Sequence, residues 1–94
     1  MAYTLVVEVD NSGEEPEEGR RRLHEELAPA VQQLPGFQSL LFMTAFEAGF
    51  GIGVVVFENR EEAERAATGL AVGTSPRQGV TVKRTDVLRV EVSA

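Results

Sequence analysis

The chain contains no cysteine and no tryptophan, and it has a single histidine and a single tyrosine. Without cysteine there is no disulfide, no thiolate nucleophile and no thiolate metal site. With no second histidine, a metal site would have to be built from His24 and carboxylates of its own helix, which is a weak ligand set. No apolar run approaches the ~18–20 residues of a membrane-spanning helix. The first residues, Met1-Ala2-Tyr3-Thr4, lack the basic start and apolar block of a secretory signal. A cytoplasmic location is therefore expected. Basic charge is also scarce, with a formal net charge of −6. Phosphate backbones repel such a chain unless its bases cluster. The one cluster, Arg20-Arg21-Arg22, lies among Glu14, Glu15, Glu17, Glu18, Glu25 and Glu26, which largely cancel its field. Neither nucleic acid nor membrane is an expected partner, and no cofactor is expected.

What is present is the pattern of one ordinary globular domain spanning residues 1–94. Tyr3 to Val9 alternates as a strand, with Tyr3, Leu5, Val7 and Val9 on one face. Asp10-Asn11-Ser12-Gly13 is a turn cluster. A helix is predicted from Pro16 to about Leu34. Leu23, Leu27, Ala30, Val31 and Leu34 form its apolar stripe, and Pro29 should kink it. Glu17–Arg21 and Glu18–Arg22 fall at pairing distance on its solvated face. Pro35-Gly36 ends it. Phe37–Phe46 and Gly51–Phe57 read as two strands of a hairpin. In the first of these, Phe37, Leu41, Met43 and Ala45 share one face; Leu40, Phe42, Thr44 and Phe46 share the other. Asn59 caps a second helix from Arg60 to Leu70 or Ala71, with Glu62 completing a capping-box pair. Its stripe, Ala63, Ala66, Ala67 and Leu70, is mostly small, which suggests close packing on the sheet. Val80 to Val92 forms a last strand, bent near Thr85-Asp86, in which Arg84 and Asp86 share a face with Val82 and Leu88.

The order β-α-β-β-α-β specifies an α+β, ferredoxin-like arrangement, with two helices on one face of a four-stranded antiparallel sheet. The Phe37–Phe46 strand is apolar on both faces, and a 94-residue chain has no second layer to cover the far side. Covering about six such side chains at roughly 1.5–3 kcal/mol each is worth on the order of 10 kcal/mol. A homodimer joined through the sheet face is the simplest cover.

Three segments carry a family resemblance: Leu34-Pro35-Gly36-Phe37; Gly53-Val54-Val55-Val56-Phe57-Glu58-Asn59-Arg60-Glu61-Glu62-Ala63; and Gly79-Val80-Thr81-Val82-Lys83-Arg84-Thr85-Asp86-Val87. Nearly the whole chain resembles the dimeric α/β-barrel superfamily, especially its antibiotic-biosynthesis-monooxygenase-like branch. The resemblance implies a ligand pocket between helices and sheet. Family members include cofactor-free oxygenases of aromatic polyketides, haem-degrading proteins and small isomerases or decarboxylases. Many have Trp where this chain has Phe57, and often a His on the second helix, which this chain lacks. The closest likeness is to small members with no established activity.

Two functions follow as expectations. The first is a homodimer that binds a small apolar or aromatic ligand, with Phe42, Phe57 and Leu27 as contacts. The alternative is a cofactor-independent oxygenase acting on an aromatic or polyketide-like substrate. His24, Tyr3 and Arg84 are its candidate catalytic groups. For His24 the competing reading is a boundary residue on a helix flank, and for Arg84 an edge ion pair with Asp86. Asn59 reads as a cap. The run Gly49-Phe50-Gly51-Ile52-Gly53 precedes a strand and not a helix, so it serves a turn or bulge and not a nucleotide.

Overall fold

Apolar-polar alternation at the start of the chain produces one of the two central strands of the sheet. In the computed structural model, which describes all residues from Met1 to Ala94, β1 (Tyr3–Asp10) pairs antiparallel with both β3 (Phe50–Phe57) and β4 (Thr81–Arg89). The other strand, β2 (Phe37–Ala45), pairs antiparallel with β3. The sheet order is β2-β3-β1-β4, which is compatible with a ferredoxin-like arrangement. Leu5 stands opposite Val55 on one side and Val87 on the other, so these three residues share a face. That face carries the core. Leu5, Val55 and Phe57 pack with Ala63 of the later helix, and Val31 of the earlier helix joins them. Both helical layers therefore cover the same side of the sheet.

The first helical stretch consists of α1 (Pro16–Arg22), a π-helical segment (Leu23–Leu27) and α2 (Ala28–Gln32). Glu15 accepts the backbone N–H groups of Glu17 and Glu18 at its start, with Pro16 beside the cap where its missing N–H is harmless. Pro29 was expected to kink the helix. The helix widens in the preceding turn, where the Ala28 N–H reaches back to the Leu23 carbonyl. A proline ring clashes with the carbonyl four residues earlier, here that of Glu25, and a π turn moves that carbonyl aside. The stretch ends at Gln32, two residues before the expected end.

The later helix, α3 (Arg60–Ala67), begins as read from the sequence, with Asn59 Oδ1 accepting the Glu62 N–H at 3.0 Å. The reciprocal half of the capping box is absent. Glu62 turns toward Gly36 (φ +77°), where any Cβ would overlap its carboxylate, and its Oε2 has no partner. The helix stops earlier than Leu70 because Thr68 is already extended and Gly69 takes φ +89°. Leu70 still packs on the core, and its carbonyl accepts the Thr85 hydroxyl.

Two register shifts correct the expected strand faces. Gln38 is an extra residue between Phe37 and Ser39, so Phe37 stands opposite Phe57 and packs toward the helices, not beside Leu41. Lys83 is likewise extra, because Val9 faces Val82 while Glu8 faces Arg84. Val82 is thus buried in the core, whereas Arg84, Asp86 and Leu88 point outward. The irregularity lies at Lys83, not at Thr85-Asp86, and the strand ends at Arg89, short of Val92.

Phe57 is only 1% exposed and joins the sheet to α3. Replacing it with alanine should destabilise the fold by about 3–5 kcal/mol, read as a lowered urea midpoint with an unchanged slope.

Candidate functional site

Helices and sheet do not close completely on each other. Gly51 and Gly53 lie on the helix-facing side of β3, opposite Thr44 and Phe42, and neither brings a side chain to that surface. A Cβ on Gly53 would stand 3.3 Å from the Phe42 ring, and one on Gly51 3.2 Å from the Met43 carbonyl oxygen and 3.4 Å from Asn11 Nδ2. Above this bare patch stand Leu23 and Leu27 of the π-helical segment and Val31 of α2. Together these surfaces enclose a partly open cavity of about 180 Å³. Leu5, Val7 and Val55 form its sheet wall, and Ala66 and Leu70 extend it toward α3.

One end of the cavity is polar. Asn11, Glu14 and Arg77 line it there. The Glu14 side chain is only 2% exposed. Its Oε2 accepts from Arg77 Nε at 2.8 Å and its Oε1 from Arg77 Nη2 at 3.3 Å. This two-point grip suits a planar guanidinium. Arg22 adds a second cation at 3.6 Å, and is itself held by Glu18 at 3.2 Å. Glycines make the close approach feasible. A Cβ on Gly19 would press on Glu14 Oε1 and on the Phe46 ring, both at 2.8 Å, and Gly79, at φ +85°, lies against the Gly13 carbonyl. The Ser75 hydroxyl, 2.9 Å from the Arg77 carbonyl and 2.7 Å from that of Val80, fixes the turn that presents Arg77.

Asn11 sits where β1 turns toward α1. Its N–H donates to the Gly49 carbonyl and its carbonyl accepts from the Glu14 N–H, both at 3.0 Å. The turn is held by Asp10, whose Oδ1 accepts the Ser12 hydroxyl at 2.6 Å and the Ser12 N–H at 2.8 Å. These bonds favour the carboxylate and hold the Asp10 pKa below its ordinary value. Asn11 is 3% exposed, and its Oδ1 has no hydrogen-bond partner.

Of the residues singled out from the sequence, Phe42, Phe57 and Leu27 all line the cavity. The three candidate catalytic groups lie elsewhere and apart. His24 is exposed on the helix. Tyr3 is half-buried against the core, under the Arg60 guanidinium at 5.9 Å from its ring centroid. Arg84 is on the outer sheet face, paired with Asp86, which together with its charge holds the guanidinium pKa above its ordinary value. The expected Glu17–Arg21 pair is replaced, since Arg21 binds Glu18, Glu25 and Glu26. The Glu18–Arg22 pair forms. Asn11, Glu14 and Arg77 escaped the sequence reading. The available signal was glycine at alternate positions 51 and 53, which leaves one strand face bare.

With Glu14 held by Arg77, the cavity offers mostly apolar walls and two neutral polar residues, Asn11 and Thr44, an arrangement suited to binding. Comparison with protein-family models, with curated proteins and with solved structures finds no match.

Removing one partner of a buried ion pair strands the other. Arg77→Met should destabilise the fold by roughly 3–5 kcal/mol, and Glu14→Gln combined with it should recover part of that loss. Denaturant titration of the single and double variants measures the coupling. Additive losses would show that the pair contributes nothing beyond its separate side chains.

Proposed function

We propose that the protein is a homodimer joined through its outer sheet face, as the α/β-barrel resemblance implies, and that each protomer binds a small apolar or aromatic molecule between helices and sheet. The observation that carries the ligand reading is the apolar cavity of about 180 Å³. An engineered apolar cavity of ~150 Å³ takes up benzene, so this volume suits one ring with a small substituent. Phe42, Phe57 and Leu27 supply the apolar contacts in this reading. Oxygenation gains no support from the cavity wall, because His24, Tyr3 and Arg84 stand outside it.

The dimer reading is supported by the outer face. Leu41 is 63% exposed there, and Met43, Phe50 and Leu88 are each more than 40% exposed. Ile52, Val54 and Val56 of β3 and Val6 of β1 lie on the same face, between Leu41 and Leu88. A continuous apolar patch of this kind is rare on a monomer. A two-fold interface must be complementary to itself. The apolar centre can meet its copy, while Arg84, Asp86 and Glu8 place both charge signs along one border.

Light scattering should report about twice the 10.2 kDa chain mass. Leu41→Asp would put an unpaired charge in the interface at a cost of several kcal/mol, giving a monomer or an aggregate. A well-folded monomer of the unmodified chain at micromolar concentration would overturn this assembly.

The ligand reading is tested separately by thermal shift with single-ring aromatic compounds. At about ten times Kd, binding adds ~1.4 kcal/mol, which for a domain of this size is a rise of several degrees in Tm. No shift with any hydrophobic compound would count decisively against ligand binding.

A further inference from the structure

We propose that Asn11 selects the ligand, and that the cavity takes an uncharged, ring-sized molecule bearing one hydroxyl group directed at the Asn11 amide. This inference rests on the cavity being a ligand site. It adds the chemical class of what enters and the residue that reads it.

Asn11 is 97% buried by its 3% exposure, it lines the cavity, and its side-chain oxygen has no donor. Buried polar atoms are almost always paired, and an unpaired one calls for a missing partner. The loop cannot easily withdraw Asn11. Its backbone is tied to Gly49 and Glu14, and the turn behind it is clamped by Asp10 and Ser12. The amide is therefore held at the polar end of a space whose other lining is apolar apart from Thr44. Gly51 leaves open the position beside Nδ2 that a side chain would occupy.

The rest of that end determines the charge of the partner. Two of the Arg77 donors, Nε and Nη2, are taken by the two oxygens of Glu14. Arg22 is shared between Glu14 and Glu18. Each full charge at that end already faces an opposite one, so an ionic group entering the cavity would lose water and have to compete for its counter-ion. A neutral hydroxyl fits better. Asn11 Oδ1 has no accessible surface, so the hydroxyl meets the other end of the carboxamide, beside Gly51: it accepts from the nitrogen there, or donates to the oxygen if the amide is turned over. The volume of about 180 Å³ leaves room for the hydroxyl and one ring.

The test uses phenol, toluene and benzoate, which share a ring and differ in one group, with the full-length protein. Affinities come from calorimetry or NMR titration, and the Asn11 side-chain amide resonances are followed in the same samples. Phenol should bind at least tenfold more tightly than toluene, benzoate should bind more weakly than either, and phenol alone should shift the Asn11 amide strongly. Asn11→Leu, close in shape and apolar, should abolish the preference and bind toluene as well as phenol. Equal binding of phenol and toluene to the unmodified protein would overturn the role of Asn11 while leaving the apolar cavity reading intact. Tighter binding of benzoate would overturn the neutral-ligand assignment. Binding of none of the three would remove the ligand site itself. The wild-type comparison stands even if the Asn11→Leu variant fails to fold.

Discussion

A four-stranded sheet that is apolar on both faces, with helices on only one of them, is the constraint from which the rest of this molecule follows. The inner face is closed by Ala63, Ala66 and Ala67 of α3, small residues that bring the helix backbone close to Leu5, Val55 and Phe57. The outer face keeps Leu41, Met43, Phe50 and Leu88 in solvent. The same residue pattern thus produces a core on one side and an unmet demand for burial on the other. The proposed dimer answers that demand with the same face of a second copy.

Within the inner layer, packing is uneven for a reason visible in single residues. α3 sits tightly because its stripe is small. The earlier helical stretch sits higher because Leu23, Leu27 and Val31 are large, and because Pro29 widens the turn before it into a π-helical segment. Gly51 and Gly53 lie beneath that stretch with no side chains to fill the gap. Tight closure at one helix and incomplete closure at the other leave a cavity between them. The Glu14–Arg77 pair then ties the β1–α1 loop to the turn before β4, so the polar end is fixed by a contact between segments 63 residues apart.

Much of this arrangement was legible in the sequence, and the failures have a common physical cause. Element order and the Asn59 cap follow from local spacing, which the chain carries openly, whereas a space between helices and sheet near Phe42, Phe57 and Leu27 was implied only by the family resemblance. The faces of Phe37 and Val82 did not follow from local spacing. A single extra residue, Gln38 or Lys83, reverses every side chain beyond it, and neither position carries a glycine or proline to mark the slip. Helix ends were misplaced by two to four residues, because fraying and the φ +89° of Gly69 compete with a continuing apolar stripe. The polar site was hidden for a different reason. Glu14 is one of several glutamates near a helix start, where complementing the helix dipole explains it fully, and Arg77 sits in a loop far away in sequence. Only the fold shows that they meet. Asn11 similarly reads as a turn residue, which it is, and nothing local tells that its side chain is sealed inside.

The cavity is expensive for so small a protein. At about 24 cal/mol per Å³, an empty space of 180 Å³ forgoes at most ~4 kcal/mol of packing, against a net stability of ~5–15 kcal/mol typical of such domains. Alanine at position 53 would stand 3.3 Å from the Phe42 ring, tighter than ordinary van der Waals contact, so that ring would have to shift to admit it. The unpaired Asn11 amide adds to the same deficit, and so does the burial of Glu14, which Arg77 must neutralise. Three destabilising features meet around this one cavity. A packing defect scattered by chance would have no reason to gather a bare strand face, a neutralised ion pair and an unpartnered amide around the same volume. Their convergence is the physical ground on which the proposed ligand reading rests.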